Sequence, residues 1–353
     1  MAIKYRKHVY CEKKFLDHCI STIANWKFNE DNYEELKLWM CIKTMIFSPD
    51  ITLHLDISND EISSIDNKRK GDLSPSEKNI KDVLDGQQAQ KIHLKIKNFV
   101  TVDNIDKSDD EQLTACYLTC CGSEQCQKCI NEYGIFVICP DNICDFKDVL
   151  YDNGAAISKD DNLDWVEKLN FSPCNSMALV DNYILSENNT IEDNLKNILD
   201  ALLPKKLDYD VPFQISIFTT LKRNNKGSDV DSNKTLKNIA ILIENLRPEL
   251  LFKVGIFKCS FDKFHDRIII TNNAYISCGG GFDLVKNEKS TKTTTINILY
   301  PFFNNSVKWS ANAYSNFLEN ISQSYQKATQ FTADYLTGFY VGEKQNRLCE
   351  MIK

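Results

Sequence analysis

Short stretches of alternating apolar and polar residues recur along the chain, separated by segments whose apolar residues repeat every three or four positions. The clearest alternation is ITLHLDI at 51–57, which predicts a β-strand with one apolar face. Residues 33–46 and 236–246 carry the longer repeat and predict helices. Further strands are predicted at 9–12, 92–96, 115–119, 135–139, 174–185, 213–219, 251–257, 268–270 and 293–300.

The order of these elements predicts an α/β fold. Between 115 and 139 a strand, a helix, a turn at Gly134 and a second strand form a β-α-β unit, which implies a parallel sheet. Further along the chain, alternating strands and helices are followed by a strand pair and a glycine turn. This order predicts a mixed sheet with helices. The polar and charged segment 58–76 is predicted to be a loop.

The length of 353 residues allows two domains of ordinary size. The segment 145–173 is rich in Asp, Asn and Ser, and the domain boundary is predicted within it. The first domain is therefore assigned to residues 1–155, with a parallel sheet and helices. The second domain is assigned to residues 156–353, with a mixed sheet and helices.

Composition predicts a cytoplasmic protein. The N-terminal residues lack a continuous apolar segment, and no apolar run approaches the roughly 20 residues that span a bilayer.

The 14 cysteines are predicted to be free thiols. A net charge of −7 argues against a general binder of duplex DNA. Several basic residues nevertheless lie near the glycine run in the sequence: Lys253, Lys258, Lys263, Arg267, Lys286, Lys289 and Lys292.

The stretch from Cys259 to Leu284 contains the most specific combination of residues in the chain. His265 and Arg267 are two positions apart at the start of a predicted strand, so their side chains are expected on the same face. Asn272 follows five residues later. A run of three glycines allows the backbone to approach whatever the two basic side chains hold, because glycine has no side chain. The run is Gly279, Gly280 and Gly281.

The stretch resembles the HxKxxxxD…G signature of the phospholipase D superfamily. His265 matches the His, Arg267 stands in the Lys position and Asn272 stands in the Asp position. It resembles more closely a degenerate, phospholipase-D-like module found at the end of some membrane-trafficking proteins and in bacterial defence proteins. The resemblance implies that these three residues are catalytic. It also implies that His265, Arg267 and the three glycines bind phosphate. Because the chain has one such motif, an active enzyme would require a homodimer.

Acidic residues follow several predicted strands of the first domain, where α/β folds place their sites. These acids are Glu12, Asp56 and Asp141. The arrangement over about 150 residues is similar to a PIN-like nuclease domain, which implies that the three acids hold a divalent cation. Carboxylate ligands suit Mg²⁺ or Mn²⁺. Cys120 occupies a position where that family often has an acid.

A zinc site is an alternative for the cysteines of the first domain. Cys126 and Cys129 form a CxxC pair, and Cys139 and Cys144 follow, so four thiolates are available. The first pair also fits one face of a helix that needs small apolar residues. Core cysteines are therefore the favoured interpretation, and zinc is not expected.

Three functional hypotheses remain open from the sequence. The first is a nuclease, either metal-dependent through Glu12 or using His265 of two subunits as nucleophile and general acid. The second is a non-catalytic phosphate- or nucleic-acid-binding sensor or scaffold. The third is an enzyme acting on a nucleotide second messenger. The resemblance implies a role in a bacterial antiviral defence system, with nucleic acid or nucleotide and other defence subunits as partners.

Overall fold

The computed structural model describes seventeen parts of the chain, and the chain divides into two compact units. The first unit is Met1–Tyr151 with Phe302–Lys308, and the second is Asp152–Pro301 with Trp309–Lys353. The described residues are 7–27, 32–48, 51–89, 93–96, 114–120, 134–147, 153–157, 166, 173–186, 191–205, 212–220, 231–258, 267–286, 289–300, 318–323, 340–343 and 345–350.

The first unit contains a five-stranded parallel sheet with helices, as the sequence predicts. Its strands lie in the order β3-β2-β1-β4-β5, and every neighbouring pair is parallel. The strands are β1 (Lys7–Cys11), β2 (Ile51–Leu55), β3 (His93–Ile96), β4 (Thr114–Leu118) and β5 (Phe136–Ile138). The helices are α1 (Lys13–Ala24), α2 (Tyr33–Ile46), α3 (Asn59–Asp66) and α4 (Pro75–Gln88), with 3₁₀ turns at Lys70–Asp72 and Pro140–Phe146.

The prediction of a loop over 58–76 is wrong, because α3 and the start of α4 lie there. Both helices begin with a capping box, in which a serine hydroxyl and a glutamate three residues later satisfy each other's backbone N–H groups. The pairs are Ser58 with Glu61 and Ser74 with Glu77. The polarity of the segment reflects exposed helix faces and caps, which resemble a loop in composition.

The prediction that β2 has only one apolar, buried face is also wrong, since all five of its residues are buried. An inner strand of a parallel sheet is covered on both faces. Its polar residue His54 is therefore enclosed, and its Nε2 lies 2.6 Å from Nδ1 of His8 on β1. The ring of Tyr10 stacks on His54 at 4.3 Å between centroids.

The second unit contains an eight-stranded mixed sheet in the order β15-β9-β8-β7-β10-β11-β14-β6. The strands are β6 (Asn153–Ile157), β7 (Ser176–Val180), β8 (Phe213–Thr219), β9 (Phe252–Lys258), β10 (Arg267–Thr271), β11 (Tyr275–Cys278), β14 (Thr294–Leu299) and β15 (Tyr340–Gly342), and β12 (Val285–Lys286) pairs with β13 (Lys289–Ser290). The helices are α5 (Lys196–Leu202), α6 (Ser232–Leu246) and α7 (Arg347–Glu350), with a π-helical turn at Ile191–Leu195. Residues 318–323 are also helical.

Strand direction determines which residues meet at each end of this sheet. The strands β7, β8 and β9 are parallel, whereas β10 is antiparallel to β7 and to β11. The first residue of β10, Arg267, therefore pairs with the last residue of β11, Cys278. The end of β7 lies at the same edge, because Val180 pairs with Ile268.

Candidate functional site

The carboxyl edge of the first sheet places Glu12 at the point where the strand order reverses. The chain proceeds from β1 outward through β2 to β3 and then returns to β4 on the other side of β1. Open α/β sheets bind ligands beyond the carboxyl ends of their strands at this switch point. Glu12 directly follows β1, and its backbone N–H bonds to the carbonyl of Leu118 on β4 at 2.9 Å. Its side chain therefore starts at the centre of this edge.

Three donors from β4 and its end hold the Glu12 carboxylate. Oε1 accepts from the hydroxyls of Tyr117 at 2.7 Å and Thr119 at 2.8 Å. Oε2 accepts from the backbone N–H of Cys120 at 2.9 Å. A carboxylate has about four acceptor positions, so these bonds fix the orientation of the group and leave Oε2 with capacity for another ligand. Cys120 thus serves the site through its backbone.

Asp56, directly after β2, lies beside Glu12. Its Oδ1 accepts from the backbone N–H of Lys13, the first residue of α1. Burial, together with the negative charge of Glu12, raises the pKa of Asp56 from 3.8 to about 6, although the bond from Lys13 opposes the rise. The Lys13 ammonium is directed to Glu61 at 2.7 Å. The structure thus brings two of the three predicted acids together.

We expect Asp56→Asn to stabilise the first unit increasingly as pH rises from 4 to 7. The pKa of Asp56 is about 6 in the folded state, so the unfolded chain loses this proton at a lower pH than the folded chain does. The free energy of unfolding therefore falls as pH rises through this range, and the uncharged amide of Asn removes this loss. Because Asp56 is only half-buried, the gain at pH 7 is about 1 kcal/mol. Urea unfolding at several pH values measures it. Exposed Asp60→Asn is the control, and a pH-independent difference for Asp56→Asn would contradict the prediction.

Asp141, the third predicted acid, lies further along the sheet edge. It is in the 3₁₀ turn after β5, and β5 is separated from β1 by β4. Two strand spacings amount to roughly 10 Å. Among the described residues, no group of three or more His, Cys, Asp or Glu side chains has an arrangement that could hold a metal ion.

In the second unit, a buried acid that sequence reasoning missed organises the region around Arg267. Asp181 follows β7 and is only 1% exposed. Its Oδ1 accepts from the backbone N–H groups of Tyr183 at 2.7 Å and Ile184 at 3.1 Å. Its Oδ2 accepts from the N–H of Phe282 at 2.7 Å. Burial raises the pKa of Asp181 and the charge of Asp283 adds to the rise, although the bonds from Phe282 and Tyr183 and the charge of Arg267 oppose it.

The glycine turn lies between Arg267 and the ion pair of Lys292 with Asp283. A side chain at Gly281 would start 3.7 Å from Cγ of Arg267. On the other side, the Lys292 ammonium donates to Asp283 at 2.6 Å and to the carbonyl of Gly280 at 3.1 Å. Two acids and two bases therefore surround the turn.

Two of the predicted phosphate-binding N–H groups have partners within the protein. Gly280 donates to the hydroxyl of Thr294 at 2.9 Å, and Gly281 donates to the carbonyl of Cys278 at 3.3 Å. The N–H groups that were expected to face a ligand thus help to fold the turn. Arg267 is half-buried. Among the described residues, the Thr294 hydroxyl is the one group within 4 Å of where a Cβ of Gly279 would lie.

Asn272 lies at the opposite end of β10 from Arg267. Its Oδ1 accepts from the backbone N–H groups of Asn175 and Ser176, each at 3.1 Å. Its amide donates to the side chain of Asn175 at 2.8 Å. Asn272 is 2% exposed and fixes the start of β7, so the structure does not bring it to the Arg267 edge.

The remaining predicted site residues lie outside the described part of the chain. These are His265, the nucleophile of the phospholipase-D-like hypothesis, and Cys126 and Cys129 of the zinc alternative. The other two cysteines of that alternative are described. Cys139 is buried and Cys144 is exposed.

We expect Gly281→Ala to destabilise the second unit by about 1–3 kcal/mol. Gly281 has φ +87°, and an added Cβ would lie 2.8 Å from Oδ1 of Asp283. Gly279→Ala is the matched control, because among the described residues the nearest atom to its Cβ would be 3.8 Å away. Chemical denaturation compares the two variants. Equal losses of stability would mean that the turn does not depend on the conformation of Gly281.

Neither models of known protein families nor curated protein sequences match this chain. Within the described ranges, no helix has the combination of length and hydrophobicity needed to cross a lipid bilayer.

Proposed function

We propose that the first unit cleaves phosphodiester bonds of a nucleic acid with a divalent cation, Mg²⁺ or Mn²⁺, bound near Glu12. The observation that carries the proposal is the position of Glu12 at the switch point of the sheet, with its carboxylate oriented by three donors. Asp56 supplies a second carboxylate at the same edge. This edge is where α/β enzymes of many kinds bind their ligands.

The donor atoms fit such a cation. Mg²⁺ in nucleotide-dependent sites is commonly bound by one or two carboxylates, with water and substrate phosphate as the other ligands. Oε2 of Glu12 has one acceptor position beyond its bond to Cys120, and Oδ1 of Asp56 is the atom that caps α1. When bound, the cation would lower the pKa of a coordinated water and neutralise phosphate charge. Tyr117 and Thr119 would keep Glu12 oriented.

The second unit contributes phosphate binding in this proposal. Arg267 can form a two-pronged hydrogen bond with a phosphate, and it stands beside the glycine turn held by Asp181. A catalytic version has His265 of two subunits cleaving the phosphodiester without metal, in a homodimer. A place in a bacterial antiviral defence system, together with other subunits, rests on the family resemblance.

A non-catalytic sensor or scaffold that binds nucleic acid or a nucleotide is the second candidate. Two observations favour it. The end of β4 offers Cys120 at a position where a further carboxylate would complete a metal site. In the second unit, Asp181 and Asp283 offset the charges of Arg267 and Lys292, so a phosphate gains less there than beside unopposed cations.

Cleavage assays on the full-length protein separate these candidates. Labelled single-stranded RNA and DNA are incubated with Mg²⁺, with Mn²⁺ or with a chelator. Cleavage that requires the metal supports the first proposal, and cleavage in chelator that His265→Ala abolishes supports the homodimer version. Binding without cleavage under all conditions supports the sensor or scaffold.

A further inference from the structure

A cleft of about 580 Å³ lies in the second unit between the π-helical turn and α6, and none of its lining residues belongs to the sites described above. Its volume is within the range of small-ligand pockets, about 300–1,000 Å³. The wall formed by the turn and the start of α5 includes Ile191, Glu192 and Lys196, and the wall formed by α6 includes Asn238, Ile241 and Asn245.

A buried side chain of the π-helical turn is bonded to the β12 backbone. Asn194 is buried, and its side chain bonds to both backbone groups of Val285, accepting from the N–H at 2.7 Å and donating to the carbonyl at 3.0 Å. This pairing holds Asn194 inward within the wider turn.

The polar side chains of the cleft have unused hydrogen-bonding capacity. Throughout the described ranges, the side chains of Glu192, Lys196, Asn238 and Asn245 make no hydrogen bond or ion pair with the protein. Glu192 and Lys196 are four residues apart, a spacing at which glutamate and lysine commonly pair on a regular helix. In this cleft each of the two side chains can instead pair with a ligand group of opposite charge.

The apolar part of the cleft lies between the polar groups. Ile241 is 54% exposed, whereas Leu242 beside it is 6% exposed. Asn238 and Asn245 stand on either side of them, two helical turns or about 10 Å apart. The cleft therefore combines an aliphatic surface, two carboxamides and one charge of each sign.

From this combination we infer that the cleft binds a short zwitterionic peptide with aliphatic side chains. The peptide's ammonium pairs with Glu192, its carboxylate pairs with Lys196, and its side chains cover Ile241. A carboxamide both donates and accepts, as a peptide group does, so Asn238 and Asn245 suit its backbone. An extended dipeptide spans about 7 Å, which fits within the cleft. One acid and one base give no preference for an anion, so a nucleotide is not the expected ligand.

Isothermal titration calorimetry of the full-length protein with leucyl-leucine tests the inference. We expect binding that weakens about three- to fivefold in Glu192→Gln and in Lys196→Ala, and about fivefold in Ile241→Ser. Glu244→Gln and Lys237→Ala are the controls, because they make comparable charge changes at exposed positions of α6 outside the cleft. These controls should bind as the unsubstituted protein does.

Three results would overturn the inference. The first is the absence of leucyl-leucine binding at millimolar concentration, and the second is binding that the cleft variants leave unchanged. The third is equal or tighter binding of one of three comparison ligands. Glycylglycine lacks the aliphatic side chains, acetyl-leucyl-leucine amide lacks the two terminal charges, and adenosine monophosphate carries a net negative charge. The inference does not depend on phosphodiester cleavage, because none of its residues belongs to the proposed cleavage or phosphate sites.

Discussion

Replacing Glu12 with Gln is expected to reduce Mg²⁺- or Mn²⁺-dependent cleavage of single-stranded nucleic acid by at least about 100-fold. The substitution removes the negative charge that would attract the cation. It also places an amide NH₂ group where Oε2 accepts from Cys120 or where Oε1 accepts from Tyr117 and Thr119. The first orientation sets donor against donor, but in the second the Tyr117 and Thr119 hydroxyls can rotate and accept from the amide. We therefore expect a stability loss of only about 1 kcal/mol. Initial cleavage rates at saturating metal measure the first effect.

A matched variant separates loss of chemistry from loss of folding. Glu34→Gln makes the same chemical change on α2, where Glu34 forms an exposed i,i+3 pair with Lys37, and it should cleave at the unsubstituted rate. Thermal melting shows whether Glu12→Gln remains folded at the assay temperature. Calorimetry of Mg²⁺ binding adds a readout that is independent of turnover. A folded Glu12→Gln variant that cleaves normally would refute the role given to Glu12.

Asp181→Ala is expected to destabilise the second unit by about 3 kcal/mol or more. The carboxylate accepts from three backbone N–H groups, those of Tyr183, Ile184 and Phe282. Alanine leaves these donors without their acceptor at a position that is 1% exposed, where water cannot easily replace it. Urea unfolding followed by circular dichroism measures the loss.

An exposed cap provides the comparison for Asp181. Asp231 accepts from the N–H of Lys234 at the start of α6 at 3.0 Å, and Asp231→Ala should cost only about 1 kcal/mol. If the two substitutions cost the same, the buried network around Asp181 would contribute no more than an ordinary helix cap. In that case the position of Phe282 would have to depend on other contacts.

Hydrophobic periodicity was sufficient to predict most strands of the two large sheets and the helices α2 and α6. A β-α-β pattern at 115–139 predicted parallel neighbours, and β4 and β5 are parallel. Helix α3 was missed because its caps and exposed face are polar. The pair Ser58 and Glu61 was the signal that could have revealed it, since this spacing before an apolar residue is typical of a helix start.

Strand geometry explains why Arg267 and Asn272, two of the predicted catalytic residues, lie at opposite ends of β10. A strand rises about 3.3 Å per residue, so five positions from Arg267 to Asn272 span roughly 16 Å. Local sequence proximity therefore did not mean proximity in the site. Asp181 shows the reverse situation, because it is 86 positions from Arg267 but adjacent to it through the pairing of β7 with β10. Its signal was an acid following the apolar run MALV, which requires partners if it is buried.

The central position of β1 has a consequence for how the chain folds. His8 acquires its neighbour Thr52 early in synthesis, but its other neighbour, Thr114, is encoded about 100 residues downstream. One side of the innermost strand therefore remains an open template until most of this unit has left the ribosome. Non-local pairing of this kind slows folding and leaves an edge that other chains can join. Expression at low temperature or with a holdase chaperone should therefore raise the soluble yield.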